Sequence, residues 1–152
     1  MISSIEREEI EAQIEFLCID AMSLWRDKLG HLAREYHLSR LERRILMFVG
    51  RNSFIHQAYL ASLMDIEPQS LTRAIDGMEK KSWILKEKDT KDKRIKYLNL
   101  TQKGEKIFEN VLKISEKIRP RILENISLDQ KNSLILILNL MTKNLKDMKG
   151  TI

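Results

Sequence analysis

The sequence has few of the residues that interrupt helices or cross-link chains. Its 152 residues include one cysteine, two prolines and five glycines. The single cysteine, Cys18, excludes an intrachain disulfide and is typical of a reducing compartment. So little proline and glycine is typical of a chain whose long helices leave few turns. We therefore expect a helix-rich globular protein with a reduced thiol.

Long apolar runs are also missing. No stretch of about 18 apolar residues occurs, so we predict no transmembrane helix and no membrane partner. The N-terminal segment MISSIEREEIEAQIEF is acidic and amphipathic, whereas a secretory signal has a cationic start and an apolar middle. We therefore predict a cytoplasmic protein, whose length fits one domain or one domain with extensions.

The residue patterns of catalytic sites are absent from the sequence. It contains no glycine-rich phosphate loop, no serine elbow and no paired metal motif. His31, His37 and His56 do not have the spacing of metal ligands on a helix. We predict that the protein is not an enzyme and needs no cofactor and no metal.

Charge is distributed unevenly along the chain. The net charge is +5, but residues 1–30 carry −4, residues 31–96 carry +5 and residues 97–152 carry +4. The basic excess therefore begins only after the first predicted helix. A solvated basic face would explain this distribution as well as a polyanionic partner would, so charge alone leaves both open.

The two ends of the chain have apolar seams at helical spacing. Residues 4–29 form one predicted helix, and 127–148 form another, opened by a capping box of Ser127 and Gln130. A third seam ends near Pro120, which should stop or kink its helix. The seams consist of Ile10, Ile14, Leu17, Ala21 and Leu24; of Ile107, Val111, Ile114 and Ile118; and of Leu134, Leu138, Met141, Leu145 and Met148. One small core does not need three such stripes, which suggests a second copy of the chain.

Short helices are predicted for the middle of the chain. A capping box of Ser39 and Glu42 opens the first, whose inward residues are Leu38, Leu41, Ile45, Phe48 and Val49. The second, in IHQAYLASLM, is predicted to turn Leu60, Leu63 and Met64 inward. A tight DIE connection leads to Pro68, which is favoured in the first turn of a helix.

The next predicted helix, residues 68–81, has two different faces. Leu71, Ala74, Ile75 and Met78 recur at helical spacing and should face the core. Gln69, Ser70, Thr72, Arg73 and Asp76 should then face outward. Two antiparallel strands, WILKEK and RIKYLNL, should follow, joined by the loop 89–93.

Two short helices joined by a tight turn form a helix-turn-helix. A plain helical hairpin is commoner than a DNA-binding one, but two features favour DNA. The second helix displays short or planar hydrogen-bonding side chains that suit a major groove. The cationic hairpin tip beside it suits a narrow minor groove, where the negative potential is enhanced.

These segments resemble the MarR-type winged helix-turn-helix transcriptional regulators, and within them a SlyA-like protein. DIEPQSLTRAIDGMEKKSWI is similar to the family's recognition helix, and DTKDKRIKYLNLTQKG is similar to its wing. The D-x-R element falls on Asp92 and Arg94, and QAYLASLMDIE resembles the preceding helix. The resemblance is close over residues 38–104, and the flanking helices agree in order and length.

The resemblance implies a mainly α (α+β) fold in three segments: an N-terminal helical dimerisation segment (1–36), a winged helix-turn-helix DNA-binding domain (37–100) and a C-terminal helical dimerisation segment (101–152). It implies a homodimer on a pseudo-palindromic DNA operator, with helix 68–81 in the major groove and wing 89–94 in the minor groove. Asp92 would hold the Arg94 guanidinium in a bidentate pair. The implied DNA-binding residues are Gln69, Ser70, Thr72, Arg73, Lys91, Asp92, Lys93, Arg94 and Lys96.

The sequence departs from the family pattern at two positions. Ser82 stands where a glycine often follows the recognition helix, so that turn would be strained or differently closed. Lys86 replaces a frequent arginine, which puts one contact to the DNA backbone in doubt. Asp76 is expected to orient a neighbouring arginine or cap local structure rather than to contact DNA.

Regulation by a small molecule is a further implication of the resemblance. Many relatives are relieved by a small aromatic or phenolic ligand, for which the candidates are Trp25, His31, Tyr36, His37 and Arg43, although we expect most of these to be ordinary packing or surface residues. Some relatives also sense peroxide through a cysteine in the first helix. Cys18 has no cation beside it in sequence, so a structural thiol is the preferred interpretation.

A winged helix can also bind proteins rather than DNA, because fold does not fix function. A protein-interaction module without specific DNA binding should expose an apolar patch on its second helix or wing. Both surfaces are polar and cationic in this sequence, which favours a DNA-binding regulator.

Overall fold

The computed structural model describes residues 3–148 and is mainly helical with one small sheet. The elements are α1 (Ser4–Ala33), a 3-10 turn (Arg34–Tyr36), α2 (Arg40–Arg51), β1 (Ile55–His56), α3 (Gln57–Met64), α4 (Pro68–Lys80), β2 (Ile84–Lys88), β3 (Lys96–Leu100), α5 (Gln102–Ile122) and α6 (Leu128–Asp147). The mainly α, winged-helix fold predicted from the sequence is confirmed.

Side-chain caps define where three of the helices begin. Capping boxes of Ser3 with Glu6, Ser39 with Glu42, and Ser127 with Gln130 open α1, α2 and α6. In each box the serine hydroxyl and the acidic or amide side chain satisfy backbone N–H groups that have no partner within the helix. The two boxes predicted from the sequence are therefore confirmed. α1 extends to Ala33, four residues beyond the predicted end.

The contacts divide the chain after Ile118. The N-terminal unit contains one hydrophobic core, built mainly from α2, α3, α4, β2, β3 and α5. Its buried apolar residues are Ala33, Leu38, Ile45, Leu46, Val49, Ile55, Leu60, Ala61, Met64, Leu71, Ile75, Met78, Ile84, Leu98, Val111 and Ile114. α1 contributes little to this core, because Gly30 and Ala33 are its buried residues.

The sheet has three antiparallel strands in the order β1–β3–β2. Ile84 pairs with Leu100 across β2 and β3, and Leu98 of the central strand also pairs with Ile55 of β1. Directly paired residues share one face of a sheet, so these apolar side chains form the core face. Ile55 and His56, predicted as the start of the second short helix, form β1 instead, so that prediction is wrong at these two residues, whereas β2 and β3 were predicted.

One predicted core position in α3 is wrong. Leu63 was expected to face inward with Leu60 and Met64, but it is 41% exposed, and Ala61 is buried instead. Residues 60, 61 and 64 lie on one face of a helix, and position 63 lies outside that face. The eight-residue helix is too short for its apolar pattern to fix which face is buried, so the neighbouring elements decide it.

The turn after α4 holds the start of α5 against β2. Ser82 has a left-handed φ of 58°, and its carbonyl accepts a hydrogen bond of 2.6 Å from the Thr101 hydroxyl. The same hydroxyl accepts from the Gly104 N–H, so Thr101 caps α5. A Cβ at Gly104 would overlap the carbonyl oxygen of Trp83. The sequence LTQKG is thus explained by a cap followed by a close backbone approach.

The C-terminal unit begins within α5 and contains α6. Pro120 lies inside α5, which ends two residues later at Ile122, as the sequence suggested. α6 has no buried residue of its own, and most of its apolar side chains are exposed. Among residues 3–148, no helix combines the length and apolar character needed to cross a membrane.

Candidate nucleic-acid interface

Helices α3 and α4 and the turn between them form the predicted helix-turn-helix. The His56 imidazole Nδ1 accepts the Tyr59 N–H and caps the start of α3. α3 ends where Asp65 adopts a left-handed φ of 49°. Aspartate tolerates this conformation better than most residues, so the chain turns there within a few residues. Pro68 then begins α4, where its missing N–H leaves no helical bond unmade.

α4 turns one face to the core and the opposite face to solvent. Leu71, Ile75 and Met78 are fully buried, while Gln69, Ser70 and Arg73 are exposed. Thr72 is half-buried: its hydroxyl donates to the Pro68 carbonyl at 2.8 Å and accepts from Gln57 Nε2 at 3.0 Å. Three polar side chains near the start of α4 are therefore displayed freely, and Thr72 is already engaged within the protein.

Asp89 organises the tip of the hairpin, residues 89–95. Its Oδ1 accepts from the backbone N–H groups of Lys91 at 2.7 Å and Asp92 at 2.9 Å. These bonds lower the pKa of Asp89, with the Asp92 N–H making the larger contribution. Sequence analysis missed this role, although aspartate at the first position of a turn commonly bonds the backbone two residues on.

Asp92 holds Arg94 in a two-pronged hydrogen bond. Arg94 Nε donates to Oδ1 at 3.0 Å, and Nη2 donates to Oδ2 at 2.9 Å. Bonding to the Arg94 side chain is the main cause of the lowered pKa of Asp92, and it also raises the pKa of Arg94. The Arg94 side chain nevertheless remains 91% exposed. A planar cation is thus oriented yet fully presented to solvent, in the pair that the family resemblance implied.

Other cations near this tip have no carboxylate partner. Within residues 3–148, Arg73, Lys91, Lys93 and Lys96 take part in no ion pair. Lys91 and Lys93 are exposed, and Lys96 is half-buried at the start of β3. Their charge is therefore available to an external anion.

Lys86 fastens the hairpin to α4. Its Nζ lies 2.7 Å from Asp76 Oδ1 and also pairs with Glu79, both on α4. These contacts raise the pKa of Lys86 and lower that of Asp76, with the mutual hydrogen bond as the largest cause in each. Asp76 had been expected to orient an arginine or cap local structure, and it pairs with this lysine. Lys86 therefore positions the wing, a role that sequence analysis missed because its partners lie 7 and 10 residues away.

The outward face of α4 and the wing border the same groove. A groove of about 200 Å³ is lined by Pro68 and Thr72 of α4 and by Arg94 and Lys96 of the hairpin. Gln57, from the start of α3, also lines it and bonds Thr72. α4 and the basic tip therefore lie side by side, as binding to one duplex would require.

The candidate effector residues differ in their exposure. Trp25 and Tyr36 are half-buried, His31 and His37 are exposed, and Arg43 is 5% exposed. Arg43 Nε is buried and finds no hydrogen-bond partner among residues 3–148, and burial lowers its pKa. The pocket at the α4–hairpin groove is lined by none of these five residues.

Cys18 and the histidines form no evident site. Cys18 is half-buried and free in α1. In the part of the chain that the structure describes, no three His, Cys, Asp or Glu side chains come together in a way that could hold a metal ion.

Comparison with known proteins agrees with this geometry. Residues 38–96 match the sequence model of the MarR family. A MarR transcriptional regulator from Methanosarcina mazei Go1 is 21% identical, with a TM-score of 0.76 over 93% of this chain and 99% of that chain. A MarR-family transcriptional regulator from Silicibacter pomeroyi is 19% identical, with a TM-score of 0.78 over 88% of this chain and 90% of that chain.

A DNA complex is among the similar structures. A mutant MarR from E. coli, solved in complex with operator DNA, is 18% identical, with a TM-score of 0.71 over 91% of this chain and 99% of that chain. At such identities the structural matches establish the fold alone, and the sequence match is confined to residues 38–96. Residues 38–96 are thus similar in sequence to the MarR family, and the fold of the chain is that of solved MarR-family transcriptional regulators.

Proposed function

We propose that the protein is a homodimeric, sequence-specific DNA-binding regulator that acts in the cytoplasm. α4 would enter the major groove of a pseudo-palindromic operator, and the hairpin tip would follow the adjacent minor groove. One observation carries the proposal: Thr72 of α4 and Arg94 of the tip border one groove, with Arg94 held by Asp92 and exposed. That arrangement can present hydrogen bonds to base edges and a guanidinium to a minor groove at the same time.

Charge and polarity support DNA over an apolar protein partner. Arg73, Lys91 and Lys93 are exposed and, within residues 3–148, have no ion-pair partner. The described part of α4 and of residues 89–96 exposes no large apolar side chain. A protein-docking surface needs a desolvated centre, usually aromatic or aliphatic, and this face offers none.

The long terminal helices support the homodimer. On α1, Ile10, Ile14, Leu17 and Leu24 are each roughly half exposed. On α6, considered separately, Leu134 and Leu138 are exposed along a predicted seam. Apolar faces this long are uncommon on monomers and are typical of surfaces between chains. The proposed dimer would bury them and set two α4 helices about one turn of DNA apart, at roughly 34 Å.

Selection from randomised duplex DNA tests the proposal. The full-length protein should enrich an inverted repeat whose half-site centres are about 10 base pairs apart. Its affinity should fall steeply with salt, because each neutralised phosphate releases about 0.9 counterions. Enrichment of sequences without two-fold symmetry, or of none, would refute specific dimeric binding.

A reversed-charge variant sharpens this test. Arg73→Glu and Lys93→Glu together place carboxylates on α4 and the hairpin tip, and should abolish enrichment. Lys143→Glu and Lys146→Glu make the same charge change on α6 and should leave it unchanged. Equal loss in both variants would mean that overall charge, and not the α4–hairpin face, governs binding.

We also propose that a small aromatic or phenolic anion relieves DNA binding. Arg43 supports this part, because a buried guanidinium nitrogen without a partner is costly and an incoming anion would supply one. Trp25 and Tyr36, both half-buried, are the aromatic residues proposed to contact the same ligand. His31 and His37, which are exposed, are the remaining candidates.

Titration with 4-hydroxybenzoate tests the effector. It should release bound operator DNA and change the fluorescence of Trp25. Arg43→Met keeps the length of the side chain and removes the guanidinium, so release should need a much higher concentration. If the variant and the parent respond alike, Arg43 does not bind the anion.

A further inference from the structure

The outer face of the sheet forms a cavity that the DNA-binding proposal does not use. It measures about 500 Å³ and lies among the end of α2, the loop before β1, strands β2 and β3, and the start of α5. Volumes of about 300–1,000 Å³ are typical of small-molecule sites. Its lining includes Phe54, Leu85, Glu87, Asn99, Glu105 and Phe108.

We propose that this cavity binds a small organic cation with an apolar body, such as an aryl-substituted quaternary ammonium. The two phenylalanine rings and Leu85 would contact the apolar body. The carboxylates of Glu87 and Glu105 would neutralise the cationic centre. The proposal does not depend on DNA binding.

The charge of the lining selects a cation. Glu87 and Glu105 both line the cavity, and no lysine, arginine or histidine does. Neither carboxylate takes part in an ion pair within residues 3–148. In a chain of net charge +5, a cavity lined by two carboxylates and no base is a local reversal of sign. Such a cavity attracts cations and repels the anions that the basic tip would bind.

The aromatic rings suit a cation because their faces are electron-rich. Phe108 lies directly against the backbone of α2: a Cβ on Gly50 would be 2.7 Å from the ring. Phe54 and Leu85 also line the cavity and are 59% and 50% exposed. These apolar surfaces have no partner within the described chain, and an apolar ligand body would cover them.

The backbone of Phe54 is strained in the conformation that places its ring at the cavity. Its φ is 59°, in the left-handed region that an aromatic residue rarely adopts. The conformation is held by Asn99, whose Oδ1 accepts the Phe54 N–H at 2.8 Å and whose Nδ2 donates to Glu87 Oε1 at 2.9 Å. One side chain therefore fixes both an aromatic wall and a carboxylate, and strain of this kind is concentrated at binding sites.

Titration of the full-length protein with benzyltrimethylammonium, followed by ¹H–¹⁵N NMR, tests the proposal. The amide signals of Phe54, Glu87 and Asn99 should shift saturably. Benzoate, an anion with a similar ring, should not shift them. The proposal is overturned if the cation gives no saturable shift at tens of millimolar, or if benzoate shifts these same three signals with equal affinity.

Two variants assign the binding to these residues. Glu87→Gln with Glu105→Gln keeps the shape and the acceptor for Asn99, and should weaken cation binding at least tenfold. Glu109→Gln with Glu116→Gln makes the same charge change elsewhere on the protein and should not. Unchanged affinity in the first variant would overturn the proposal.

Phe54→Asn separates binding from folding. Asparagine adopts the left-handed conformation more readily than phenylalanine, so the variant should fold at least as well, as judged by circular dichroism and thermal unfolding. It removes the ring, and cation affinity should fall at least fivefold. If the folded variant binds the cation as tightly as the parent does, the aromatic wall plays no part and the proposal is wrong.

Discussion

The winged-helix region and the terminal helices differ in how far their apolar side chains are buried. The winged-helix region, residues 38–100, supplies 13 of the 16 buried apolar residues found among residues 3–148. α1 is 30 residues long, yet Gly30 and Ala33 are its buried residues. α6, taken by itself, has none. The winged-helix region buries its apolar side chains within one chain, whereas the terminal helices leave most of theirs exposed to solvent.

This difference separates two sources of stability. The winged-helix region gains its stability from burial within one chain, at roughly 25 cal/mol for each Å² of apolar surface removed from water. The exposed faces of α1 and α6 would gain comparable stability only in the proposed dimer, where a second chain would cover them. Substitutions in the first region should therefore act on folding at any concentration, and those on the terminal helices should act on association.

Leu17→Asp in α1 should have the largest effect. Leu17 is 52% exposed in the single chain, so the change costs its folding little. In the proposed dimer a carboxylate would be buried without a partner, and two-fold symmetry repeats the loss in both subunits. Association should weaken by about 4 kcal/mol or more, roughly a thousandfold, as measured by sedimentation equilibrium.

A charge reversal at a polar position of α1 is the control for this variant. Glu11→Lys alters the charge by two units on the same helix and should leave the dimer intact. A parent protein that is monomeric at micromolar concentration would remove the contrast between the two regions altogether.

A pair of substitutions in α3 tests the winged-helix side of the comparison. Leu60 is fully buried and Leu63 is 41% exposed, three residues later on the same helix. Leu60→Ala should lower the free energy of unfolding by about 2–5 kcal/mol, because it leaves a cavity in the core. Leu63→Ala should lower it by less than about 1 kcal/mol. Urea unfolding measures both free energies. Similar losses of stability in the two variants would indicate that Leu63 is buried in the core.

The error at Leu63 shows which structural features the sequence can predict. Signals that act over three or four residues were reliable: the capping boxes at Ser39 and Ser127 are both present. The outward and inward faces of α4 were also predicted, because Leu71, Ile75 and Met78 lie in a helix of 13 residues, more than three turns long. α3 has about two turns, and its pattern alone was too short to fix its rotation.

Features that depend on distant partners were not predictable from local pattern. β1 consists of two residues, and it exists because Ile55 and His56 pair with Leu98 and Tyr97, about forty residues later. The ion pairs of Lys86 depend on the approach of β2 to α4. At the candidate site the chemical types were predictable, and the resemblance supplied the Asp92–Arg94 pair. The supporting contacts of Gln57 and Asp89 required the structure.

Arg94→Ala tests the exposed tip of the winged-helix region. The operator affinity of the variant should fall roughly 5- to 150-fold, because it lacks the oriented guanidinium of the proposed minor-groove contact. Unfolding and dimer mass should not change, since the side chain is 91% exposed. Fluorescence anisotropy measures the affinity. Arg51→Ala removes an exposed arginine at the end of α2 and is the control; equal losses would remove Arg94 from the interface.

Asp92→Asn should have a smaller effect of a distinct kind. Asparagine has one acceptor oxygen, so Arg94 loses one of the two hydrogen bonds of the pair and is less well oriented. Affinity for the operator should fall a few-fold. Affinity for unrelated DNA should hold or rise, because a negative charge near the phosphates is lost. A parallel fall on both kinds of DNA would mean that Asp92 does not orient Arg94.

The tie between α4 and β2 should have the smallest effect, visible in the pH dependence of stability. The pKa of Asp76 is lowered by Lys86, so its contribution is present above its ordinary value of 3.8 and is lost as pH falls through the lowered value. The pKa of Lys86 is raised by Asp76 and then Glu79, so its contribution is present below 10.5 and is lost as pH rises through the raised value. Lys86→Met should therefore flatten both limbs of a plot of urea midpoint against pH. The side chains of Asp76 and Glu79 are 48% and 42% exposed, so water screens the pair, and the change should be small and should shrink further in salt. Identical pH profiles for the parent and the variant would show that this ion pair does not hold the wing to the recognition helix.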